Sequence, residues 1–121
     1  MLVKYKKDYQ KIIMGFLSYL PEFSNLTNLQ EEMALYDEDG EYQIYLYRKE
    51  ANADFSAIVG FQKIPHFVIV RYISCAISAR NTKTCNQILT ELHNLYPTAK
   101  VMPTLENSEL FAAFERTQED D

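Results

Sequence analysis

FVIVRYISCA, residues Phe67 to Ala76, is a nearly continuous apolar run. A run of that length without polar alternation reads as a strand covered on both faces, inside a sheet with helices above and below. The residues before it alternate. Tyr42, Ile44 and Leu46 share one face against Tyr45 and Tyr47, and Phe55, Ala57, Val59 and Phe61 alternate with Ser56, Ile58, Gly60 and Gln62. These are β-favouring types. The polar turn Ala51 to Asp54 and the tight connection Ile64-Pro65-His66 separate the three runs, which predicts an antiparallel meander.

The period changes on either side of the meander. After it, Cys85, Ile88, Leu89, Leu92, Leu95 and Tyr96 follow helical spacing, which predicts a helix from Thr82 to Tyr96 ended by Pro97. Lys100 to Met102 then reads as a short strand. Leu110, Phe111 and Phe114 read as a last helix with Asn107 as its N-cap. Ahead of the meander, Met1 to Lys6 reads as a first strand. Tyr9, Ile12, Ile13, Phe16, Leu17 and Leu20 give an amphipathic helix, with Asp8 as N-cap and Pro21 as its stop. Leu26, Leu29, Met33 and Tyr36 give a second helix, capped by Ser24 or Asn25 and ended by the turn Asp37-Glu38-Asp39-Gly40. The expected order is β-α-α-β-β-β-α-β-α in an α+β chain, with a mixed sheet flanked by helices on both faces.

Bulk properties narrow the function classes. The 121 residues fit one domain spanning 1–121. Net charge is −5 and no Lys/Arg cluster stands out, which disfavours a nucleic-acid partner. Cys75 and Cys85 form no CxxC motif, and His66 and His93 are the only histidines, so no metal site is expected. No apolar run approaches the length of a membrane span and no secretory signal is visible. The expected location is the cytoplasm, with both cysteines as thiols.

The stretch Val70 to Cys85 resembles the fourth strand and following loop of the GNAT acyltransferases. In that family the loop carries Arg/Gln-x-x-Gly-x-Gly/Ala and opens a helix. Arg80 stands in the first position, and Lys83 and Cys85 occupy the two glycine positions. Asn107 to Arg116 resembles the family's Asn…Tyr-Glu-Lys segment. Leu2 to Tyr5, the helix around Gly15 to Pro21, Val59-Gly60 and the Phe114-Glu115-Arg116 ending are similar to the RibT-like proteins, small GNAT-like chains encoded with riboflavin biosynthesis genes.

The resemblance implies an acyl-CoA co-substrate, acetyl-CoA or another, and transfer of its acyl group to an amine acceptor. It assigns the pantetheine arm to the backbone of Ile73, Ser74 and Cys75. It assigns the pyrophosphate to the loop Arg80, Asn81, Thr82, Lys83, Thr84 and Cys85, where helix N–H groups and the macrodipole favour anions; Asn107 completes the set. Side chains at Lys83 and Cys85 would obstruct the close backbone approach that glycine permits, while Lys83 and Arg80 supply cations in its place.

Catalysis needs a base for the amine and an acid for the departing thiolate. No carboxylate lies between Phe67 and Ala76, so His66, just before that strand, is the candidate base. Phe114 replaces the family's tyrosine acid and cannot donate a proton. Tyr45, Tyr47 and Tyr72 are strand tyrosines that could face the substrate cleft. Cys75, in an apolar strand, is expected to be an inert thiol. The family's two further C-terminal strands have no counterpart here, which leaves the Lys100–Met102 strand as an edge; a homodimer contact is expected to cover it. Two other functions compete with the enzyme: a catalytically inactive binding or regulatory module on the same fold, and a purely structural dimer.

Overall fold

The computed structural model describes residues 1–36 and 40–103. Its elements are β1 (Leu2–Lys4), α1 (Gln10–Leu17), α2 (Leu26–Met33), β2 (Tyr42–Tyr47), β3 (Ala57–Ile64), β4 (Phe67–Cys75), α3 (Thr82–Leu95) and β5 (Lys100–Pro103). Single 3-10 turns cover Lys7–Tyr9, Pro21–Phe23 and Ile77–Ala79. The five strands form one sheet in the order β1-β2-β3-β4-β5. Pairing is antiparallel from β1 to β4 and parallel between β4 and β5, with α3 as the crossover. The mixed α+β architecture and the element order agree with the sequence pattern through β5. The last helix and Asn107 lie outside the described residues. Among the described residues, no helix is long and apolar enough to cross a membrane.

Alternation along β2 and β3 divides the interior into two cores. Tyr45, Tyr47, Ala57, Val59 and Phe61 face α3, where Ile88, Leu89 and Leu92 are fully buried. Tyr42, Ile44, Leu46 and Ile58 face α1 and α2, against Ile13, Phe16, Leu17 and Leu29. Each helix thus buries one stripe and leaves the other to water, as its spacing requires.

The apolar run that reads as one uninterrupted strand is broken by a β-bulge. Gly60 pairs with Tyr72 but Phe61 pairs with Val70, so Arg71 is the extra residue. A bulge puts two successive side chains on one face and shifts the alternation beyond it. Val68 and Val70 point toward α3, while Arg71 and Tyr72 both lie on the α2 side. Ile73 and Cys75 then return to the α3 side, and Ser74 donates a hydrogen bond of 2.6 Å to the Phe16 carbonyl on the other.

Two local expectations, the Asp8 cap and the length of α2, need correction, and one open choice of cap is resolved. Asp8 makes no side-chain cap hydrogen bond; a 3-10 turn leads into α1, which starts at Gln10. Of Ser24 and Asn25, Asn25 caps α2, accepting from the backbone N–H of Thr27 at 2.8 Å and Asn28 at 3.3 Å. That helix stops at Met33, short of Tyr36.

Candidate functional site

Along β4 the ladder with β3 continues to Cys75, and the described residues of β5 pair with Phe67 to Val70. A groove of about 470 Å³ opens along the last residues of β4. Ile73, Ser74 and Cys75 line it from the strand, and Arg80, Asn81, Thr82 and Cys85 line it from the turn and the start of α3. The structure therefore gathers these seven candidates in one place.

The start of α3 is capped by its own sequence. The Asn81 side chain accepts from the Thr84 N–H at 2.8 Å, and the Asn81 carbonyl accepts the Cys85 N–H at 3.3 Å. The first bond satisfies a donor that a helix otherwise leaves orphaned, and the second is the first internal bond of the helix. The Thr82 and Lys83 amides are the remaining N–H groups of that first turn, beside the positive end of a 14-residue helix.

Lys83 and Thr84 turn to the other side of the cap. They line a neighbouring cavity of about 620 Å³ with Tyr47, Lys49 and Asp54, and Asn81 borders both spaces. The two cations proposed to replace the glycine cradle are thereby separated. Arg80 belongs to the groove: its Nε donates to the Cys75 carbonyl at 2.9 Å and its guanidinium lies 5.2 Å from the Tyr19 ring centroid.

The two thiols form a pair, Cys75 at the end of β4 and Cys85 in the first turn of α3. The hydrogen bond between them, with burial, pushes Cys75 well above the ordinary thiol range. The same bond, received by Cys85, lowers that thiol to about 7 against the opposing effect of burial. Cys85 read in isolation has no visible partner; folding supplies Cys75.

His66 is not brought to the groove. It sits exposed in the β3–β4 turn with φ 71°, its carbonyl accepting the Lys100 N–H at 2.8 Å. The length of β4 separates it from Cys75, roughly 25–30 Å at 3.3 Å per residue. The strand tyrosines also miss the groove. Tyr45 packs on Phe61, the Tyr47 hydroxyl donates to Gln87 at 2.9 Å, and Tyr72 is buried beneath α2. Tyr19 and Leu20, just past α1, line the groove instead. Their spacing marks them only as the end of an amphipathic helix, so nothing local announces that role.

A buried polar network on the α2 side also escapes the sequence. Arg71 reaches Glu32 with both terminal nitrogens, Nη2 to Oε2 at 3.0 Å and Nη1 to Oε1. The Tyr36 hydroxyl donates to Glu32 at 2.7 Å, lies 2.6 Å from the Tyr72 hydroxyl and accepts from Arg71 Nη1 at 2.8 Å. Glu32 is 5% exposed. An arginine inside an apolar run demands a partner; the sequence states that demand without naming Glu32.

A mixed sheet flanked by helices in this order is the fold of solved N-acetyltransferases. The chain is 30% identical over 112 residues to an uncharacterized N-acetyltransferase in the lysA 3' region of Bacillus methanolicus, covering 92% of this chain and 91% of that one. Among solved structures it superposes on a possible acetyltransferase from Clostridium difficile 630 with a TM-score of 0.70 at 13% identity, covering 98% and 88% of the two chains. It also superposes on the AAC(6')-Iy structure in complex with a bisubstrate analog, CoA-S-monomethyl-acetylneamine, with a TM-score of 0.67 at 11% identity and coverage of 96% and 87%. A spermidine N-acetyltransferase SpeG chimera from Vibrio cholerae gives a TM-score of 0.69 at 13% identity, with coverage of 96% and 78%. No family model matches the chain. The chain belongs to the GNAT N-acetyltransferase superfamily.

Proposed function

We propose that the chain binds acyl-CoA in the groove beside β4 and transfers its acyl group to an amine. The observation that carries this reading is the groove where the end of β4, Ile73 to Cys75, meets the Asn81-capped start of α3. In this reading the backbone of Ile73, Ser74 and Cys75 holds the pantetheine arm, and the Thr82 and Lys83 amides with Arg80 hold the pyrophosphate. The amine lone pair attacks the thioester carbonyl, the C–N bond forms, the C–S bond breaks, and the thiolate leaves toward a proton. A bisubstrate analog carrying CoA is the ligand of one structural relative, and spermidine is the acceptor named for another, so amines are the acceptor class to screen. The similarity to RibT-like proteins adds amines of riboflavin biosynthesis to that screen. A second copy of the chain along β5, the last strand of the sheet among the described residues, belongs to the same proposal. A monomeric mass by light scattering at high micromolar concentration would remove it.

The test is calorimetric titration of CoA and acetyl-CoA. A Kd tighter than about 100 μM, near −5.5 kcal/mol, weakened about tenfold by Arg80→Ala, is the expected result. No heat at millimolar ligand would overturn it.

A second reading, a binding module without turnover, is favoured by the chemistry of the lining. Among the described residues the groove carries no carboxylate and no histidine, and the buried Glu32 is held by Arg71. Acetyl-CoA affinity without thiol release in the presence of an amine panel would decide for the module.

A further inference from the structure

We infer that Cys75 and Cys85 are a redox modification site: a reversible intramolecular disulfide that closes the groove to acyl-CoA. The closing of the groove rests on the acyl-CoA reading above; the disulfide itself does not. The two thiols come from different elements, the last residue of β4 and the first turn of α3, and both line the groove. The chain between them runs through the Ile77–Ala79 turn and the Asn81 cap, so the fold, not sequence adjacency, brings both thiols to one groove, with Cys85 packed against the core cluster that holds Cys75. Both are free thiols, Cys75 buried and Cys85 half-buried. That asymmetry assigns the roles. Cys85 meets the oxidant from the solvent side, at the positive end of α3, where thiolate is favoured. Cys75 lies behind it as the resolving thiol.

The oxidant is a hydroperoxide. The Cys85 thiolate attacks one peroxide oxygen; the S–O bond forms, the O–O bond breaks, and the other oxygen leaves as water or an alcohol after protonation. Cys85 is then a sulfenic acid. The Cys75 sulfur attacks the Cys85 sulfur; the S–S bond forms, the S–O bond breaks, and hydroxide leaves as water with the Cys75 proton. Two thiols have lost two electrons and the peroxide has gained them. A dithiol reverses the reaction by exchange. The S–S bond ties the first turn of α3 to the end of β4 across the groove that both residues line.

Hydrogen peroxide added to the full chain tests both parts. Trypsin cuts after Arg71, Arg80, Lys83 and Lys100, which places Cys75 on Tyr72–Arg80 and Cys85 on Thr84–Lys100. The expected product is these two peptides joined, in a protein lighter by two hydrogens and restored by dithiothreitol. In Cys75→Ser, dimedone should trap a sulfenic acid at Cys85; in Cys85→Ser, no joined peptide should form. CoA affinity measured on the same samples should fall at least tenfold on oxidation and return on reduction. Loss of both thiols without a joined peptide would overturn the disulfide, and a joined peptide with unchanged CoA affinity would overturn the closure. If the reduced chain binds no CoA, the acyl-CoA reading and the closure fail together, while the joined peptide still decides the disulfide.

Discussion

At Gly60 an added Cβ would lie 2.5 Å from the Tyr72 hydroxyl and 2.6 Å from Tyr72 Cε2. That ring is buried, edge-on to Phe23 with centroids 5.7 Å apart, and hydrogen-bonded to Tyr36, so it has little room to yield. Gly60→Ala should cost about 1–3 kcal/mol of stability. Gly15, inside α1, is exposed with nothing within 4 Å of an added Cβ. There the same change should stabilise by roughly 0.5–1 kcal/mol, because alanine is the better helix former. Urea denaturation of the two variants should show midpoints moving in opposite directions. The thiol pair gives a second residue-scale prediction. With Cys85 lowered to about 7 by the Cys75 hydrogen bond, its alkylation by iodoacetamide should rise with pH and reach half its maximum near pH 7. Cys75, raised by that bond and by burial, should alkylate far more slowly throughout. A flat profile near zero at Cys85 until pH 9 would show that the pair is not formed.

The elements join through the Glu32–Tyr36–Arg71–Tyr72 network, which ties α2 and the residues after it to the bulge of β4. Glu32→Ala would remove the bidentate contact to Arg71 and the acceptor of the buried Tyr36 hydroxyl. Loss of one member of such a pair should cost about 3 kcal/mol, read as a lowered midpoint in urea. Burial and the Glu32 hydrogen bond raise Tyr36 above the ordinary tyrosine range, and burial with the Tyr36 charge raises Tyr72. Groups raised on folding contribute stability in full below their unfolded value, near 10. That contribution declines as pH climbs above about 10, because only the unfolded tyrosines then ionise. Stability should therefore fall above pH 10, and less steeply in Tyr36→Phe.

At the scale of the whole molecule, what the sequence made legible was local. The register of Ile88, Leu89 and Leu92 fixes α3, and the alternation of β2 and β3 fixes which face meets which core, since both are written within one element. The bulge is not legible. Val68 to Cys75 is apolar on both faces, so a shift of one residue at Arg71 leaves no trace in the pattern. The site divides in the same way. Ile73 to Cys75 and Arg80 to Cys85 adjoin in sequence at a strand end and a helix start, and they were found together. Tyr19, Leu20 and the pairing of the two thiols depend on how α1 and α3 approach β4, which no local pattern encodes. His66 shows the converse: it adjoins β4 in sequence and lies at its far end in space.

The central claim is that the groove between the end of β4 and the capped start of α3 is where acyl-CoA binds. Its most direct test is the amide NMR spectrum of the labelled chain during a CoA titration. Shifts concentrated at Ile73 to Cys75 and Arg80 to Cys85, with the amides of His66, Phe67 and their neighbours unmoved, are the predicted result. Saturating CoA that leaves the β4 and α3 amides unmoved, or moves others in their place, would contradict it.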